Sequence, residues 1–252
     1  MRPGRCLLAG TALLMAIEAA ALAQAPCPCP TPTPPPIPLW SGNAQLSYAA
    51  TSGNTDTSSL GGSLEVDYKP LPWTVELKAA YLRASSDGVV TAESFAGGLR
   101  GSRDLTARID VFGEGLYYRN TFAGIDGRYG GDAGAGYKIV DEKTVHLRVE
   151  AAFGYTHEER VGVTALDYAT GRAGLDFGWK FSKSAEFGET FYWTDDLSDT
   201  SNWYLRSTTS LTADLTSVFA LKASYTYLYD NVPVPGFKKR DTITAVALVA
   251  KF

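Results

Sequence analysis

Beyond residue 40 the chain is dominated by alternation with a period of two, the mark of strands rather than helices. Val145, Leu147, Val149, Ala151, Phe153 and Tyr155 stand between His146, Arg148, Glu150, Ala152, Gly154 and Thr156. Such a segment has one greasy face and one charged face. Trp73 to Tyr81, Ala173 to Phe181 and Phe219 to Tyr229 follow the same rule. Polar punctuation divides the chain into about twelve such strands, an even count as in bacterial barrels. They open near Trp40, Thr57, Pro72, Val90, Leu105, Asp126, Thr144, Thr164, Ser184, Ser201, Ser217 and Asp241.

An even count returns both termini to one side. Tight connections are expected there, at residues 69–71, 102–104, 141–143, 182–183 and 214–216. The opposite set is 51–56, 84–88, 120–125, 157–163, 194–200 and 230–239; these loops are longer, but expected to be too short for a folded plug. Short inner turns and longer outer loops are the asymmetry of outer-membrane barrels. A soluble sandwich or lipocalin-like barrel would alternate too. However, Tyr68, Trp73, Trp179, Phe181 and Trp193 gather near strand ends, where amphipathic rings meet a bilayer's polar boundary. The fold class expected is therefore all-β: an antiparallel transmembrane β-barrel of about 12 strands over residues 40–252.

Composition adds the route. Arg2 and Arg5, a short apolar run from Cys6 to Ile17 and Ala21-Leu22-Ala23 read as a signal peptide over residues 1–23. Residues 24–39, QAPCPCPTPTPPPIPL, read as a Pro-rich periplasmic linker, its Cys27 and Cys29 pairing with each other or with another chain. The formal charge of −4 leaves no electrostatic footprint for nucleic acid. The expected location is the outer membrane of a Gram-negative bacterium, with both termini periplasmic and with lipid, lipopolysaccharide and the barrel-assembly machinery as partners.

Trp40-Ser41-Gly42 followed by Ser52-Gly53-Asn54-Thr55-Asp56-Thr57 resembles the first hairpin of the salt-induced outer-membrane proteins, a family defined by a domain of unknown function. Arg128-Tyr129, Gly134-Ala135-Gly136-Tyr137 and Gly154-Tyr155 resemble its central strands. The resemblance covers roughly Trp40 to Phe252. It implies an outer-membrane barrel and a link to salt stress, and it brings no catalytic residue. The terminal Phe252 resembles the recognition tag by which such barrels are inserted.

If the apolar set faces lipid, its alternates line the lumen. The acids expected there are Glu65, Asp67, Glu76, Asp110, Glu114, Asp132, Glu150, Asp176 and Glu186. The bases are Lys78, Arg100, Arg108, Arg128, Lys138, Arg148, Arg172, Lys180, Arg206, Lys222 and Lys251. Buried charges must pair or stay wet. Two readings stay open: a narrow channel for small solutes or ions, and a closed barrel laced by salt bridges that stiffens the membrane or docks a partner. Inward glycines at Gly130, Gly134, Gly136, Gly174 and Gly178 leave room for Arg148 or Arg172 to lie across them.

Glu189, between Phe187 and Phe191, breaks the apolar face. A bulge near Gly188 that returns it to the lumen is expected, with lateral contact to another chain as the alternative. No catalysis is expected: His146 and His157 are the only histidines, and no Gly-x-Ser-x-Gly occurs. No cofactor or metal is called for, since Asp195, Asp196 and Asp199 lack the glycine and distal glutamate of a calcium-binding hand.

Overall fold

The computed structural model describes residues 38–52, 57–86, 89–121 and 123–252. The proposed leader and nearly all of the Pro-rich segment lie outside the described residues. Twelve strands follow in order: β1 (Trp40–Ser52), β2 (Thr57–Tyr68), β3 (Trp73–Ser86), β4 (Val89–Asp104), β5 (Ile109–Asn120) and β6 (Ile125–Asp141). They continue as β7 (Val145–Arg160), β8 (Leu166–Trp179), β9 (Ala185–Asp196), β10 (Trp203–Asp214), β11 (Phe219–Asp230) and β12 (Arg240–Lys251). Each pairs antiparallel with its chain neighbours, and β1 pairs with β12, so the sheet closes on itself. Closure leaves no sheet edge unpaired. Among the described residues no helix is long and apolar enough to cross a membrane.

The seam is finished by the last residue. Gly42 N–H donates to the Phe252 carbonyl and Phe252 N–H to the Gly42 carbonyl, both at 3.0 Å. The Phe252 ring lies over Gly42, where a side chain of any size would collide with it.

The two faces differ as the alternation requires. Leu46, Leu60 and Phe153 point outward and are 70%, 68% and 71% exposed. A wall of such residues is built for hydrocarbon rather than water. Aromatic rows bound it. At the end holding the described chain terminus, Trp40 stacks on Tyr68 at 4.4 Å and Trp179 meets Phe181 at 5.6 Å. At the far end Phe95, Tyr117, Tyr129 and His157 form a continuous row with centroid spacings of 5.7, 5.0 and 6.2 Å. On β6 the outward Tyr137 and Tyr129 mark the two rows; at ~3.3 Å per residue and ~40° tilt they stand roughly 20 Å apart in height. Beyond the far row the outward face turns polar. There Arg119 bridges Glu93 at 2.9 Å and Asp126 at 3.1 Å.

One turn lies elsewhere than the alternation implied. β4 runs through residues 102–104, and the connection to β5 is residues 105–108. The reason is local: the Thr106 hydroxyl accepts the N–H groups of Arg108 (3.2 Å) and Ile109 (2.9 Å), which curls the chain after Asp104. The same device recurs between β10 and β11, where Thr216 accepts from Val218 (3.2 Å) and Phe219 (2.9 Å). In both, the Asp ending the strand pairs with a lysine two strands along, Lys138 with Asp104 at 3.1 Å and Lys251 with Asp214 at 2.5 Å.

The loops also behave differently from expectation. Residues 231–239, joining β11 to β12, cross the mouth of the barrel. The Phe237 ring sits on Gly124, so that a Cβ there would stand 2.5–2.9 Å from it. Gly124 lies in the β5–β6 turn, half the circumference away. The strap is rooted by Asn231, whose backbone N–H donates to Trp203 O and whose side chain donates to Ser201 O, both at 2.9 Å. Val234 in the strap and Ile125 beneath it are buried.

Candidate functional site

Inward alternates from all parts of the wall enclose a cavity of about 580 Å³. It runs from the strap, at Pro233, Lys238 and Lys239, down to Glu65, Glu76 and Lys222. Glu65, Glu76, Lys78, Arg100, Glu114, Arg128, Asp132, Arg172, Asp176, Arg206 and Lys222 line it, together with Tyr118, Tyr192 and Tyr204 and threonines 156, 170, 190, 194 and 208.

The charges divide into clusters. On the wall of β4 to β8, Arg100, Arg148 and Arg172 interlock with Asp110, Glu114, Asp132 and Glu150. Arg148 contacts Asp110 at 2.7 Å and Glu150 at 2.5 Å. Arg100 reaches Glu150 at 2.9 Å and Glu114 at 3.5 Å. Arg172 reaches Asp132 at 3.0 Å and also pairs with Glu114. The buried Phe112 ring lies under this cluster, with the Arg100 guanidinium 3.5 Å from its centroid. The inward glycines permit it: a Cβ at Gly136 would occupy the place of the Arg148 guanidinium, and one at Gly174 would meet Glu150 and Tyr192.

Nearer the strap, Glu158 is 1% exposed and is gripped by Arg128 (2.5 Å) and by Arg160, with the Tyr168 hydroxyl donating at 3.1 Å. Arg128 lies 4.2 Å from the Tyr204 ring and 5.9 Å from that of Tyr118. Near the other end Lys78 pairs with Glu76 and, at 3.1 Å, with Glu65. Asp67 pairs with Lys69 at 3.0 Å. Glu186 shares the inward face of β9 with Thr190 and Tyr192. Arg108 and Lys180, expected on the lumen wall, fall in turns and are exposed, because β5 opens only at Ile109 and β8 ends at Trp179.

Glu158 and Arg160 were assigned to an outward loop. The strand β7 continues to Arg160 and carries both along its inward face. The unbroken series Arg148, Glu150, Ala152, Gly154, Thr156, Glu158, Arg160 is the signal that marks them.

Glu189 is a correction. The β9–β10 register passes unshifted through Gly188↔Ser210 and Glu189↔Thr209, so there is no bulge and the carboxylate stays on the outward face. It is satisfied there by the hydroxyls of Ser207 at 2.6 Å and Thr209 at 2.5 Å on β10.

The histidines are each held by a carboxylate. His146 Nε2 lies 2.9 Å from Asp176 and His157 Nδ1 lies 2.8 Å from Asp167. The acidic loop between β9 and β10 uses its own carboxylates. Asp196 accepts from Ser198 N, Asp199 N and Asn202 Nδ2. The Ser201 hydroxyl and backbone N–H both donate to Asp199, which holds that carboxyl below the usual carboxylate range. Among the described residues no group of three or more His, Cys, Asp or Glu is placed to hold a metal ion.

Comparison with known proteins accords with this architecture. Residues 44–252 match the family described as "Protein of unknown function, DUF481". The uncharacterized protein YdiY of Escherichia coli (strain K12) is 23% identical over 196 residues, 77% of this chain and 75% of that protein. Among solved structures, the NanC porin superposes with a TM-score of 0.58 at 11% identity, over 83% of this chain and all of its own. An outer-membrane channel from Pseudomonas putida F1 gives 0.55 at 12% identity, over 86% of this chain and 97% of its own. At such identities the likeness concerns the fold, which is that of outer-membrane channel barrels.

Proposed function

The chain belongs to the DUF481 family of proteins of unknown function, and from that premise we propose that it is an outer-membrane channel passing small hydrophilic solutes or ions through a narrow lumen. The observation that carries this reading is the cavity of about 580 Å³ inside a closed barrel, lined by charges and hydroxyls among apolar patches while the outside is apolar. A lumen serving only as a packed core would be closed by its own side chains, as in the smallest barrels, and would leave no such cavity. Twelve strands lie between filled barrels and wide porins, and the arginine cluster and strap narrow the bore further.

In this reading both termini lie in the periplasm and the strap faces outward. Lipid and lipopolysaccharide surround the apolar wall, and Phe252 is the element by which the assembly machinery receives the strand. A link to salt stress is implied by the sequence resemblance. It is tested by growth of a deletion strain at raised osmolarity, where an unimpaired strain would remove it.

Planar-bilayer recording of the purified chain at two ionic strengths is the direct test. Discrete unitary currents are expected. Their absence at both would overturn the channel and leave the second reading, a closed stiffening barrel, which the interlocked arginine cluster favours.

A further inference from the structure

We propose that the lumen beneath the strap is a binding site for small hydroxylated anions, carboxylate- or phosphate-bearing; as a transport site it rests on the channel reading above. The acids of the lumen are mostly spent. Glu158 is clamped between two arginines, Glu114, Asp132 and Glu150 are held by the central cluster, and the Asp230 carboxylate accepts the Val232 N–H at 3.0 Å. Arg206 is different: it lines the cavity, is exposed to it, and has no carboxylate within 4 Å among the described residues. The Lys239 ammonium, on the strap above, donates to a neutral amide, Asn231 Oδ1 at 3.3 Å, and has no carboxylate within 4 Å among the described residues. With Arg128 neutralised by Glu158, the cavity at this level is lined by Arg206, Lys238 and Lys239 against Asp230 and Asp241, an excess of one positive charge.

A guanidinium left wet in a confined lumen matches a carboxylate or phosphate with paired N–H donors. Low-dielectric walls focus its field along the bore. The surroundings supply hydroxyls: Thr208 and Thr226 touch at 3.0 Å, and Tyr118 and Tyr204 line the cavity above them, beside the apolar Leu228 and Ile125. A solute with one anionic group and several hydroxyls fits this pairing better than a bare ion or a neutral apolar one.

The test uses the full-length chain in detergent and in bilayers. Calorimetric titration with gluconate and inorganic phosphate is compared with neutral glucose. Both anions are expected to bind more tightly than glucose. Arg206→Gln is expected to weaken the anions about tenfold, the loss of one charge-assisted hydrogen bond. In a potassium chloride gradient the reversal potential is expected on the chloride side and to move toward zero in Arg206→Gln. Arg206 makes no ion pair among the described residues, so the variant is expected to keep the heat-modifiable mobility of a folded barrel, with Arg206→Lys restoring part of the affinity. Binding of gluconate without unitary current would sink the channel and leave the anion site standing. Current with cation preference, or equal binding of glucose and gluconate, would overturn the anion site and leave the channel standing.

Discussion

Arg172 is 9% exposed at its side chain and touches three carboxylates, Glu114, Asp132 and Glu150. Removing one partner from such a buried set strands the others, a cost of roughly 3–5 kcal/mol. Arg172→Gln is therefore expected to lower the unfolding midpoint in urea titrations of the detergent-solubilised barrel. Lys69→Ala, which breaks the half-exposed pair with Asp67, is expected to change stability by less than about 1 kcal/mol. Equal losses in the two variants would contradict the clustering. Glu189 makes a second case. Ser207→Ala with Thr209→Ala leaves its carboxylate bare against an apolar face and is expected to cost about 1–3 kcal/mol. Adding Glu189→Leu is expected to recover most of that loss; a triple variant no better than the double would count against the pairing. The inward placement of Arg172 was legible from alternation with Gly174 and Asp176. Its partners were not, because Glu114 lies 58 residues away in sequence and only closure of the sheet brings it near. Glu189 was misjudged because a lone carboxylate among phenylalanines argues for a bulge; the hydroxyls that satisfy it sit on the next strand.

At the scale of elements, twelve strands and most of their openings followed from period-two patterning, since each strand repeats one binary choice. Boundaries were lost where side chains, not hydropathy, end a strand. Thr106 and Thr216 set the turns by accepting backbone N–H groups. The strap was the least legible element. Residues 231–239 read as a short Pro- and Gly-containing loop, and nothing in their pattern says that Phe237 will reach the opposite rim. Replacing residues 232–238 by a two-glycine turn is expected to raise unitary conductance by at least about twofold, as removal of a constriction should. Phe237→Ala is expected to keep the mean conductance near that of the parent but to increase current noise. Conductance unmoved by the deletion would show that the narrow point lies at the arginine cluster instead.

For the whole molecule, an even strand number and the β1–β12 seam place both ends of the described chain on one rim. With Cys27 and Cys29 changed to serine, Lys239→Cys on the strap is expected to react with an impermeant maleimide on intact cells. Lys143→Cys, in the β6–β7 turn, is expected to react only after the outer membrane is breached. The reverse pattern would invert the orientation. Wall height is uneven: β4, β6 and β7 have 16, 17 and 16 residues, whereas β9 to β12 have 12 each. The strap leaves the lower side and meets the taller one at Gly124. A ring of hinged staves with nothing across it flattens readily into an oval. A chord fixed at opposite points of one rim holds that diameter, as a tie rod holds the walls of a vault. Squeezed from the side, this molecule should stay round where the strap spans it and give way at the rim where the chain ends.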